Sequence, residues 1–426
     1  MKPMIVKPGE TITGRLILPG DKSISHRAIM IGAISRGKTV VKDLLDCDDC
    51  NYTIGAFRDM GIPIKRQGAY TTIDGSGLRG LKPPGGHLNL GNSGTSMRLL
   101  AGILAGQNFS ATLDADRYLS VRPMQRITEP LSLMGVDIKS SSKGYPPLVI
   151  NGGRVKAIDY KMPIPSAQIK SAILLAGLYA DGNTVVEEAS KSRDHTERML
   201  KYFGAELAVS GLKVSVKGGS ELDGRTVEVP GDISSASFFI AGAILLKGSK
   251  LRIEGAGINP TRAGILDILV RMGANIKVVN RKDLFEPAGD IECEYARTRG
   301  ISIARSEIPG IIDELPVIFV LASLSDGRTV IKGADELKVK ETDRIKSMIS
   351  NLSLMGAKIR GENGAIVIDG VEILKGSDGL KSYGDHRTCM AMTIAALTAK
   401  GSSRIDDAEC VSKSFPDFFS VLAALK

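Results

Sequence analysis

Leu354–Gly370 reads LMGAKIRGENGAIVIDG. Met355-Gly356 closes an apolar periodic run in the way a helix ends on a glycine cap. The rest of the stretch, AKIRGENGAIVIDG, then reads as an alternating strand, a glycine-containing turn and another strand, the pattern of a hairpin. The unit recurs along the chain. DMGIPIKRQGAYTTIDG, LMGVDIKSSSKGYPPLVING, YFGAELAVSGLKVSVKG and RMGANIKVV carry it at Gly61, Gly135, Gly204 and Gly273, so the five glycines stand 74, 69, 69 and 83 residues apart. A period near seventy residues is the signature of a repeated supersecondary unit.

A second series of helices precedes each hairpin: GDKSISHRAIMIGAI, GNSGTSMRLLAGILA, PSAQIKSAILLAGLYA, GDISSASFFIAGAILL, GIIDELPVIFVLASL and GDHRTCMAMTIAALTA. Each opens on Gly, Pro, Ser, Asp or Asn and continues into small apolar residues nearly all round, which marks a buried helix. The unit is βαβαββ, and six such units account for the 426 residues. The sixth ends at FPDFFSVLAALK without strands, and MIVKPGETITGRLILPG at the other end is expected to supply them. The fold class is α/β, with two similar domains: residues 1–19 with 232–426, and residues 20–231.

The helix starts carry the chemistry. In order they present Lys22, Ser23 and Arg27; Asn92, Gly94 and Thr95; Ser166, Gln168 and Lys170; Asp232, Ser234 and Ser235; Asp313 and Glu314; Asp385, His386 and Arg387. The alternate helices repeat the pattern. SVRPM sets Arg122 beside Pro123 at an expected first helical position, SRDHTE sets Arg193 before an Asp194/Glu197 capping box, LKVKETDR supplies Lys338, Lys340, Glu341 and Arg344, and VSKSFPDF supplies Lys413. A helix start offers unpaired N–H donors and a positive dipole, so cations placed there are favourable only beside a bound anion or an acidic neighbour.

Composition narrows the partner. The chain has 56 Lys and Arg against 47 Asp and Glu, a net charge of +9, yet only 4% aromatic residues and no Trp, so base-stacking platforms are scarce and small anions fit better than nucleic acid. GNSGTSMR lacks the lysine of a GxxxxGK[ST] loop, and no GxGxxG occurs, so nucleotide binding is not indicated. Five scattered cysteines, an odd number, read as reduced thiols; Cys47-Asp48-Asp49-Cys50 has no second CxxC to complete a metal set, and the four histidines lack ligand spacing. No apolar run reaches the roughly 18 residues of a membrane span, and MKPMIVKPGE has no leader character, so a cytoplasmic protein is expected.

GDKSISHRA, GNSGTSMRLL, SVRPM, PSAQIKSA, SRDHTE, ELPVIFVLA, LKVKETDR, YGDHRTCMA and KSFPDF, in this order from end to end, resemble the 5-enolpyruvylshikimate-3-phosphate synthase family. The resemblance implies two domains of three βαβαββ units each, barrel-like but inside out, with helix N-termini facing an interdomain cleft. It implies transfer of the enolpyruvyl group of phosphoenolpyruvate to the 5-hydroxyl of shikimate 3-phosphate with release of phosphate, by a monomer with no metal or organic cofactor and no nucleic-acid or membrane partner. By motif, Lys22, Ser23, Arg27, Ser166, Ala167, Gln168, Arg193, Asp313 and Lys340 would hold shikimate 3-phosphate. Lys22, Gly94, Arg122, Gln168, Arg344, Arg387 and Lys413 would hold phosphoenolpyruvate. Asp313 is the implied base at the hydroxyl, with Glu341 and Lys22 serving the methylene carbon and the phosphate oxygen. Two positions depart from some members: Ala167 stands in SAQ where they read SSQ, and Glu336 stands where they place a ligand-contacting Asn. The related UDP-N-acetylglucosamine enolpyruvyltransferases read KNA in place of DKSISHR and carry a loop cysteine, whereas here no cysteine lies between Cys50 and Cys293.

Overall fold

Glycine caps close all five hairpin-bearing helices in a computed structural model that describes residues 2–141 and 143–425. Gly61, Gly135, Gly204, Gly273 and Gly356 have φ between 83° and 104°. At Gly356 the amide donates to the Ser353 carbonyl at 3.0 Å while Ala357 donates to Leu352 at 2.9 Å, the two bonds of a Schellman cap, and the other four repeat the pair. The hairpin that follows turns on Asn363 and Gly364, both at positive φ as a two-residue type I′ turn requires.

The chain folds as two compact units, Met1–Pro19 with Pro230–Lys426, and Gly20–Val229. The first five repeats each build a small sheet on one plan: a first strand parallel to the second, the second antiparallel to the fourth, and the fourth antiparallel to the third. Among the described residues five such four-stranded sheets form, three in the 20–229 unit and two in the unit holding both termini. In the sixth, Met4–Val6 pairs with Ser403–Ile405, which bridges in turn to Leu380. Thr13–Ile17 does not join it. That strand runs parallel to Lys250–Glu254 and opens the sheet of the fourth repeat, while the first repeat takes its parallel strand from Thr226–Glu228. Parallel neighbours need a long crossover, and each unit meets that need by pairing strands far apart in sequence.

The small-residue helices are the cores. In the terminal unit Ile233–Leu245, Leu315–Ser323 and His386–Leu397 pack on one another, and all twelve residues of the last are buried. In the 20–229 unit Gly94–Ala105 lies against Ala167–Gly177, where a Cβ on Gly102 would overlap the Ala172 carbonyl, and Lys22–Ala33 packs on Gly94–Ala105. Buried on every side, these helices leave only their ends to solvent. Among the described residues no helix is long and apolar enough to cross a membrane.

Candidate active site

Most first-series helices cap themselves. Asp21, Ser93, Ser166, Asp232 and Asp385 each accept a hydrogen bond from a backbone N–H of the first turn. The cations beside them find neighbours of the second kind allowed by the sequence. Lys22 Nζ donates to Asp49 Oδ2 at 3.0 Å, so an acid of the Cys47–Cys50 segment, which the sequence did not connect with Lys22, is its neighbour.

Arg27 is buried among hydroxyls and carbonyls. Its Nε donates to Thr196 Oγ1 at 2.6 Å, Nη2 to Ser171 Oγ at 2.9 Å and Nη1 to the Ser23 carbonyl at 2.8 Å, which fixes it between helices starting at Lys22, Ala167 and His195. At the Gly94 helix, a Cβ on Gly94 would stand 2.6 Å from Arg98 Nη1 and 3.2 Å from Arg122 Nη1, so two guanidiniums close on one helix start. Gln168 joins this group, accepting from Arg98 at 3.0 Å and donating to Thr95 Oγ1 at 3.1 Å. Arg98 was not among the sequence candidates; its place four residues after Gly94 on one helix face was the available signal. Ser23, Ser166, Ala167, Arg122 and Arg193 are half-buried in the same unit.

Three sequence expectations fail here. The helix after SVRPM begins at Gln125 with Met124 as its cap, so Pro123 lies outside it. No capping box forms at Asp194: that carboxylate pairs with Arg198 at 2.9 Å, and Glu197 turns inward to Lys170 at 2.6 Å. Lys170, expected among the outward polar groups, is fully buried with Glu188 at 3.0 Å and Glu197 as its counter-ions. Burial pushes the Glu197 carboxyl up, opposed by Lys170. Two carboxylates around one ammonium make this a structural knot of the interior.

In the terminal unit, Asp313 occupies the break between the helical segments Ile308–Ile311 and Leu315–Ser323. Arg344 Nη1 reaches its Oδ1 at 3.3 Å and Arg387 Nη2 its Oδ2 at 3.4 Å. Arg344 also donates from Nε to Asp385 Oδ2 at 2.7 Å and from Nη2 to Glu341. Complete burial works against its charge, yet Asp385, Glu341 and Asp313 together hold the guanidinium more firmly protonated than usual. Lys413 Nζ donates to the Gly384 carbonyl at 2.8 Å, one residue before the Asp385 cap, and Lys340 lies half-buried beside Glu341. Asp313, Glu341, Arg344 and Arg387 thus form one cluster with Lys413 at its edge. Glu336, in the turn Asp335–Val339, is half-buried. All five cysteines are buried and unbridged, and among the described residues no three His, Cys, Asp or Glu side chains are placed to hold a metal ion.

Residues 6–422 match the profile of a family described as EPSP synthase (3-phosphoshikimate 1-carboxyvinyltransferase). A 3-phosphoshikimate 1-carboxyvinyltransferase of Pelobacter propionicus is 49% identical over 99% of this chain and 98% of its own, and that of Geotalea daltonii is 49% identical over 98% and 97%. Among solved structures, EPSP synthase from Acinetobacter baumannii superposes with a TM-score of 0.89 at 42% identity, covering 99% of this chain and 98% of that one.

Proposed function

The chain belongs to the EPSP synthase family and so transfers the enolpyruvyl group of phosphoenolpyruvate to shikimate 3-phosphate in aromatic amino acid biosynthesis, and we propose the following division of work among its side chains. Lys22, Ser23, Arg27, Ser166, Ala167, Gln168, Arg193, Asp313 and Lys340 hold shikimate 3-phosphate. Lys22, Gly94, Arg122 and Gln168, with Arg344, Arg387 and Lys413, hold phosphoenolpyruvate. The absence of a side chain at Gly94 lets the Arg98 and Arg122 guanidiniums approach the helix start, and their planar donors suit phosphate or carboxylate.

In the addition step the 5-hydroxyl oxygen bonds to carbon 2 of phosphoenolpyruvate. Its proton passes to Asp313 as the methylene carbon takes one from Glu341. Elimination then returns the methyl proton, re-forms the double bond and breaks the carbon–oxygen bond to phosphate, which leaves with the electron pair while Lys22 meets the charge on its oxygen. Binding the anions reorganises cations already held by carboxylates, so affinity comes from exchanging Asp49 and the acids around Arg344 for substrate oxygens. The same reading takes the enzyme as a cytoplasmic monomer, in keeping with its unbridged thiols.

Asp313 carries the assignment, because its two oxygens face two different guanidiniums in one cluster with Glu341. An Asp313→Asn enzyme fills the same space without accepting the proton. Its phosphate release from phosphoenolpyruvate should fall by about 10²–10⁴ in kcat, with calorimetric affinity for shikimate 3-phosphate close to wild type. Turnover near the wild-type rate would remove Asp313 from the mechanism.

A further inference from the structure

One buried histidine links the Lys22 helix, through Thr53, to the hydroxyls at the start of the Gly94 helix and has no part in the chemistry above. His26, fully buried, lies on the helix that bears Lys22, Ser23 and Arg27. Its Nδ1 is 2.7 Å from Thr53 Oγ1; Thr53 Oγ1 is 2.7 Å from Ser96 Oγ; Ser96 Oγ is 2.6 Å from Ser93 Oγ, the cap of the Gly94 helix. Thr53 also donates to the Asp49 carbonyl at 3.3 Å, and the Asp49 carboxylate holds Lys22. Nε2 of His26 is buried with no hydrogen-bond partner. An orphaned buried N–H costs more than an orphaned lone pair, which assigns the proton to Nδ1 as donor to Thr53.

We propose that His26 is a positioning residue for phosphoenolpyruvate, its neutral imidazole fixing the start of the Gly94 helix against Lys22 and Arg27 through Thr53, Ser96 and Ser93. Burial lowers its pKa to about 3, with Lys22 and Arg27 assisting and Asp49 and Asp21 opposing, so the donor pattern is constant across the working range of pH. The imidazole bonds the hydroxyl chain directly to the Lys22 helix, whereas the second link runs through the longer Thr53–Asp49 contact; without the imidazole, the Gly94 helix start can shift relative to the cations that face the same ligand. The inference rests on the placing of phosphoenolpyruvate at Gly94 and Arg122.

Three variants test it. The amide nitrogen of Asn stands as far along the side chain as Nδ1, whereas that of Gln corresponds to Nε2. His26→Asn should therefore keep the KM for phosphoenolpyruvate near wild type. His26→Gln and His26→Leu should raise it by about tenfold, the scale of losing a buried hydrogen-bond partner, with kcat and calorimetric affinity for shikimate 3-phosphate little changed. The pH profile of kcat should be the same in wild type and His26→Asn. Arg122→Lys, measured alongside, reports on the site itself: an unchanged KM for phosphoenolpyruvate there defeats the site assignment, while a raised KM there with unchanged values in the Gln and Leu variants defeats the role of His26 alone. Equal damage from Asn and Gln, equal losses for both substrates, or a pH limb lost in His26→Asn would each overturn the proposal. If the Leu variant does not fold, the Asn and Gln pair decides.

Discussion

Arg122 reaches Gly94 from a loop, not from a helix start, and its value lies in the shape of its head group. Arg122→Lys keeps the charge and loses the planar fork, so the KM for phosphoenolpyruvate should rise by about ten- to a hundredfold while shikimate 3-phosphate alone binds as before. Calorimetry with each ligand separately checks this, and equal losses for both would merge the two subsites. At this scale the sequence disclosed the cations and withheld their partners. Lys22, Arg344 and Arg387 stood out because positive charge at a helix start needs compensation. Asp49 and Asp385, which with Asp313 supply it, lie 27 and 41 residues from Lys22 and Arg344, beyond any local pattern. Lys170 shows the limit of reading by position: it occupies a first turn like the others, but faces Glu188 and Glu197 inside the unit.

Among elements, the helix ends were the most legible, because a Schellman cap is local: one residue must take positive φ and two N–H groups must reach back within six residues. A Cβ on Gly356 would meet nothing within 4 Å, so substitution there reads backbone strain without steric overlap. Gly356→Ala should cost about 1–2 kcal/mol and lower the thermal midpoint by a few degrees, and Gly356→Asn should cost less because Asn tolerates the left-handed region. A calorimetric scan in which Ala matches Gly would contradict this. The start of the helix at Gln125 was misread since Pro123 is as welcome just before a helix as within its first turn. Strand partnership was less legible still. Alternation identifies Thr13–Ile17 as a strand, but the choice between the fourth and the sixth sheet depends on which edge is left open after the whole unit assembles.

For the whole molecule, the cations are already balanced within each unit: Lys22 by Asp49 in one, Arg344 and Arg387 by Asp385 and Asp313 in the other. The repeat architecture itself was readable from the glycine spacing, while the exchange of strands was not, and that exchange bears on how the chain is made. Met4–Val6 must wait for Ser403–Ile405 and Thr13–Ile17 for Lys250–Glu254, whereas Thr226–Glu228 closes the 20–229 unit as soon as it leaves the ribosome. At synthesis rates of about 5–20 residues per second, Met4–Val6 spends about 20–80 s as an unpaired edge. The inserted unit matures first, and Met4–Val6, made long before its partner, is the last strand to find its place.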